Sequence, residues 1–201
     1  MRALSICAIL FMTAAFADKK GDGKFLPGPA ASYSAKQTND HVTVAVSAYD
    51  TEELAHTAFG KLNPNQYGVL PVLVIIQNDT GEALRLDRVE VEYTNPEGRA
   101  VIATPAADVR TLEGAERPKP LGSTPARIPL PKRSHKSPLN IWEIEGRAFA
   151  LKLLPPHETG SGFFYFQTDH RAGAKFYLTG MKVASTGKDI LFFDIPLDYH
   201  K

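Results

Sequence analysis

"VLPVLVIIQNDTGEALRLDRVEVEY", residues 69–93, opens with an unbroken apolar run, Val69 to Ile76, and then changes character. Eight residues fall far short of the roughly 20 that a membrane-spanning helix needs. Branched side chains dominate the run, and Pro71 sits near its start, where a strand tolerates it. Asn78-Asp79-Thr80-Gly81 breaks the run with turn residues. Beyond it Leu84, Leu86, Val89, Val91 and Tyr93 interleave with Arg85, Asp87, Arg88, Glu90 and Glu92. The slip between Leu86 and Val89 predicts a bulge. The whole stretch predicts a β-hairpin, its first arm covered on both faces and its second on one. In the first arm Leu70, Val72, Val74 and Ile76 form one row, and Leu73 and Ile75 the other. The second row needs a cover. The candidates are the segment 105–148, anchored by Trp142 and Ile144, and a short helix bearing Leu54 and Phe59, so Trp142 is expected to be buried.

Upstream, "HVTVAVSAY" (41–49) alternates Val42, Val44 and Val46 with smaller residues and reads as a strand with one buried face. "DTEELAHTAFG" predicts a helix over 51–59, capped by Asp50, with Glu53 at its third position and Gly60 ending it. Residues 18–40, rich in Lys, Gly, Pro and Ser, read as a flexible leader. Its "DKKGDG" is no calcium loop, because Lys20 and Pro29 occupy positions that need carboxylates. Downstream, "NPEG" (95–98) is a turn before a short strand, "RAVIAT". A helical piece is expected at 106–113, followed by an irregular region, 114–140. Residues 141–148 are open between helix and other structure, and 149–153 and 163–167 read as strands joined by "PPHETGSG". "KFYLTGMKV" and "ILFFDIPL" make a last hairpin, with Gly180 hinting at a bulge. About eight strands in hairpin succession predict an all-β fold, an immunoglobulin-like antiparallel β-sandwich over 41–201 with short helices and a long Pro-rich basic insertion at about 105–148. A parallel α/β fold would need longer helices between strands.

The N-terminus, "MRALSICAILFMTAAFADKK", has the basic start, apolar middle and Ala-Phe-Ala ending of a secretory signal peptide, 1–17, with cleavage expected after Ala17. Cys7 follows Ile6 near the start of the apolar run, which does not fit a lipid-attachment site. The expected location is the periplasm or cell exterior of a bacterium. Loss of Arg2 takes Lys+Arg from 23 to 22, against 22 Asp+Glu, so the mature chain is formally neutral. Neutrality gives no reason to expect nucleic acid as a partner. Cys7 is the only cysteine, which excludes thiol chemistry and cysteine metal sites from the mature chain.

"LPVLVIIQNDTGEALRL", "ARIPLP", "PPHETGSGFFYF" and "LTGMKV…KDILFFDIPLD" together resemble a group of secreted proteins of soil bacteria, notably acidobacteria. The similarity covers most of 41–199. It implies the immunoglobulin-like sandwich and carries no activity over to this chain.

Catalytic signatures are thin. His41, His56, His135, His157, His170 and His200 lie too far apart in sequence for a helical ligand pair. Neither a Gly-x-Ser-x-Gly elbow nor a phosphate-binding glycine loop occurs, and "TGSG" (159–162) reads as a turn. Glu143 and Glu145, beside Trp142, would share a face if they lay on a strand. Asn78-Asp79-Thr80 has the form of a glycan acceptor but reads as turn chemistry. The feature that stands out is a basic strip without an acid: Arg117, Lys119, Arg127, Lys132, Arg133 and Lys136, stiffened by Pro118, Pro120, Pro125, Pro129 and Pro131. Such a strip suits an anionic envelope surface or an envelope protein. The function expected is therefore an exported, non-catalytic binding or structural module of the bacterial envelope, with no cofactor. The alternative is a hydrolase-like envelope enzyme with a site under the 105–148 insertion.

Overall fold

A computed structural model describes residues 25–112, 137–139 and 141–197. The chain is mostly β, in three antiparallel sheets with few helices, which agrees with the all-β expectation. The described residues form eleven strands rather than about eight.

The first sheet has the order β1-β2-β3-β8, formed by β1 (Lys36–Asn39), β2 (Val42–Ala48), β3 (Leu70–Asn78) and β8 (Thr159–Phe166). The second has the order β11-β9-β5-β6, formed by β5 (Glu90–Thr94), β6 (Ala100–Ile102), β9 (Lys175–Thr179) and β11 (Phe193–Pro196). A small sheet, β10-β4-β7, joins β4 (Leu84–Arg85), β7 (Leu153–Leu154) and β10 (Lys182–Val183).

The opening stretch is not a hairpin. Both flanks of β3 are occupied, by β2 along Val72–Asn78 and by β8 along Leu70–Gln77, so no flank is left for the residues that follow. The turn at 78–81 sends the chain away instead. Asn78 is fully buried there: its Nδ2 donates to the carbonyls of Glu82 (2.8 Å) and Pro155 (2.9 Å), and its Oδ1 accepts from the Thr80 N–H (3.1 Å). This is turn chemistry, as the sequence indicates. The slip between Leu86 and Val89 is not a bulge within one strand. The Val89 N–H donates to Leu86 O (3.2 Å), and this turn separates β4 in the small sheet from β5 in the second sheet.

The double covering of β3 is as expected. On one face Val72, Val74 and Ile76 join Val44, Val46, Tyr93, Phe176, Leu178 and Phe193 in a core between the first and second sheets. On the other face Leu73 (0% exposed) and Ile75 (1%) lie under Phe59, Ile144, Leu139 and Val109. The cover comes from α1 (Glu52–Phe59), α2 (Ala106–Val109) and α3 (Trp142–Gly146). Thr51 rather than Asp50 caps α1, its hydroxyl accepting from the Leu54 N–H at 3.2 Å. The helical piece expected at 106–113 is confined to Ala106–Val109. Trp142 is not buried; it is 73% exposed. Residues 141–148 contain a helical turn, and two residues along a helix turn about 200°, so Ile144 enters the core while Trp142 points away and lies over Gly146.

Three further boundaries differ from expectation. The folded part starts before residue 41: Phe25 packs on the second cluster, and β1 joins β2 through Asp40 and His41, both at positive φ (47° and 61°), the backbone of a tight two-residue hairpin loop. "TGSG" is not a turn but the first half of β8. The strand read at 149–153 is reduced to Leu153–Leu154 in β7, preceded by an isolated parallel bridge from Ala148 to Phe163. The glycines of β8 explain this. A Cβ at Gly162 would lie 2.5 Å from the Phe149 Cα, so the bare backbone lets the chain from α3 cross β8 closely.

Candidate functional site

The main cleft arises because β6 accompanies β5 only briefly. "NPEG" closes their hairpin as the sequence indicates: the Asn95 N–H donates to Arg99 O (3.0 Å), and Gly98 takes positive φ (82°). β6 pairs with Glu92 to Thr94, and the Ala103 N–H reaches Val91 O at 3.4 Å. The chain then leaves the second sheet, and the Thr104 N–H donates to Tyr165 O (2.7 Å) on β8. On the opposite wall the Phe163 N–H donates to Arg147 O (2.8 Å), and the Phe149 N–H to Phe163 O (2.9 Å).

Between these two attachments a cleft of about 500 Å³ opens into the space between the sheets. That volume lies within the usual range for small-molecule sites, roughly 300–1,000 Å³. Its apolar lining includes Val89, Val91, Ile102, Phe149 and Phe164. The rings of Phe149 and Phe164 stack at 5.2 Å, 19° from parallel, and Ile102 is 73% exposed at the mouth. Among the described residues the acidic residues along the lining are Glu90 and Glu92, which flank the buried Val91 on β5 and so turn their side chains to the opposite face of the strand. Tyr165 lines the same cleft and donates from its hydroxyl to Ile144 O at 2.6 Å; burial holds its phenol well above the ordinary tyrosine range. The site therefore offers an apolar slot and no paired acid, base and nucleophile among its described lining.

A second, smaller cleft of about 230 Å³ is polar, lined by Arg85, Asp87, Arg88 and Lys182. Arg85 grips Asp87 (2.9 Å) and keeps its carboxyl below the usual aspartate range, so part of that positive charge is already answered.

Of the residues singled out in the sequence, those that are described do not converge. Arg117, Lys119, Arg127, Lys132, Arg133 and Lys136, with His135 and His200, lie outside the described residues. Glu143 and Glu145 are on a helical turn, not a strand, and so do not share a face; Glu145 is bound to Arg110 at 3.0 Å. His56 faces Glu52 on α1 (3.7 Å), and the His170 Nδ1 lies 3.3 Å from the Tyr93 hydroxyl. Among the described residues no group of three or more His, Cys, Asp or Glu is placed to hold a metal ion. No helix among them is long and apolar enough to cross a membrane. The cleft itself was not legible in the sequence. Nothing local signals that β6 turns away at Ala103.

No family model and no curated protein matches the chain. Among solved structures, it is similar to the X-ray structure of Northeast Structural Genomics Consortium target SoR45, at 14% identity and a TM-score of 0.35, covering 82% of this chain and 98% of that one.

Proposed function

We propose that the chain is an exported, non-catalytic binding module of immunoglobulin-like type, and that it takes an apolar ligand in the cleft between β5, β6 and β8. The strand order supports the fold reading. If β2, β3 and β8 are lettered A, B and E, and β6, β5, β9 and β11 are lettered C′, C, F and G, the two sheets follow the immunoglobulin-like order, without strand D. β1 and the small sheet are additions. The signal-like residues 1–17 support export. The observation that carries the binding reading is the cleft of about 500 Å³, walled by the Phe149–Phe164 stack and open to solvent at Ile102.

A neutral, environment-sensitive dye tests it. N-Phenyl-1-naphthylamine should show a saturable rise in fluorescence with the mature protein. Ala103→Phe, which fills the cleft, should abolish the rise while leaving the far-ultraviolet circular dichroism unchanged. Trp142→Ala, remote from the cleft, should retain it. A rise that Ala103→Phe leaves intact, or no rise at all, contradicts the reading.

A further inference from the structure

We infer that the ligand of this cleft carries a carbonyl group: an apolar ketone, ester or amide whose oxygen accepts a hydrogen bond from the Val91 main-chain N–H while its body lies against Phe149 and Phe164. The inference rests on the cleft being the binding site and adds the polar group by which the site orients what enters it.

The donor exists because the ladder between β5 and β6 stops partway through a residue pair. A strand residue directs its N–H and its C=O to the same flank, and a bonded antiparallel pair exchanges both bonds. Val91 O accepts from the Ala103 N–H at 3.4 Å, so the main-chain groups of Val91 face the β6 flank and not β9. The paired register ends one step earlier, at Glu92 and Ile102. Beyond it the Thr104 N–H is drawn to Tyr165 O (2.7 Å), and the return bond from the Val91 N–H to Ala103 O is not made. Among the described residues the Val91 N–H therefore has no acceptor. Yet Val91 is only 4% exposed. Buried main-chain N–H groups without a partner are rare, because each forfeits the hydrogen bond it made with water. This one belongs to the lining of the cleft that also holds the stacked rings. The polar side chains of the described lining are turned away or engaged. Glu90 and Glu92 point to the opposite face of β5, the Tyr165 hydroxyl donates to Ile144 O (2.6 Å), and the Thr104 hydroxyl accepts from Gln167 Nε2 (3.1 Å). An apolar slot with one placed donor selects an apolar molecule with one acceptor. A carbonyl oxygen meets that need without bringing a further donor or a charge. A carboxylate would bring a full charge that no cation of the described lining balances.

The test compares two probes of one shape, 2-acetylnaphthalene and 2-isopropenylnaphthalene, in which a methylene group replaces the carbonyl oxygen. Each is titrated into the full ¹⁵N-labelled mature chain, with affinity read by calorimetry and the amide signals by nuclear magnetic resonance. Without a hydrogen bond the hydrocarbon should bind the tighter of the two, because it leaves water more readily. The inference predicts the reverse order, with the ketone binding about fivefold more tightly, in keeping with the net worth of one hydrogen bond. The Val91 amide proton should move downfield with the ketone and much less with the hydrocarbon. Ala103→Phe should abolish binding of both. If the hydrocarbon binds as tightly as the ketone or more so, and Ala103→Phe abolishes both, the cleft is the site but the inference of a carbonyl fails. If the ketone is preferred while the Val91 proton stays in place, another group selects it and the inference fails likewise. If neither probe binds, the cleft reading and this inference fall together.

Discussion

Tyr165 ties the two halves of the account together at one side chain. It is 1% exposed, lines the cleft, and its hydroxyl satisfies Ile144 O in the helical turn beneath. Burial raises its phenol pKa, and the same cause raises those of Tyr49 and Tyr93. The sign of the pH effect follows. In the unfolded chain tyrosine loses its proton near pH 10, while the folded chain still holds it. The contribution to stability is therefore complete below about pH 10 and is lost progressively as the pH rises beyond it. Denaturation midpoints in urea should fall between about pH 9.5 and 11, and less steeply for Tyr165→Phe, which removes one of the buried phenols. At pH 7 the same variant should lose about 1–2 kcal/mol, because Ile144 O is left without its buried donor. An alkaline slope equal to that of the parent would mean that Tyr165 ionises as freely in the folded state as in the unfolded one.

Among the elements, the turn at Trp142–Gly146 shows how far local pattern reaches. Ile144 is fully buried, so Ile144→Ala should cost about 2–5 kcal/mol. Trp142, largely exposed, should cost under about 1 kcal/mol when truncated to Ala. Equilibrium urea unfolding of the two variants checks this, and a larger loss at Trp142 would contradict the placement of α3. The sequence, open over 141–148, placed both residues in the cover; a period of two would set them on one face, whereas a helical period sets them apart. Five residues are too few to tell the periods apart. The same limit explains β8: Gly160 and Gly162 read as turn residues, yet they mark where Leu151 and Phe149 cross closely over a continuing strand. What was legible is the set of longer patterns. The alternation over 42–48, the helix ended by Gly60, the "NPEG" hairpin and the two-sided burial of Val72–Ile76 all appear in the structure. What was not legible is pairing. β3 lies between β2 and β8, a partner more than eighty residues away, and no local signal carries that information.

Taken whole, the molecule is a pair of facing sheets with a second apolar layer behind the first, and its cleft lies where one hairpin departs to join the opposite sheet. The basic strip adds a separate expectation at this scale, from sequence alone. Replacing Arg127, Lys132 and Arg133 by Gln should abolish salt-sensitive retention of the mature protein on an anionic matrix. Unchanged retention would mean that these three cations play no part in the contact. The binding site is tested most directly by mapping amide chemical shifts while N-phenyl-1-naphthylamine is titrated into the ¹⁵N-labelled mature protein. The account predicts that the largest shifts fall on Glu90–Glu92, Ile102–Thr104, Phe149 and Phe163–Tyr165. Shifts centred instead on Arg85, Arg88 and Lys182, or around Trp142, with the cleft amides unmoved, would contradict it.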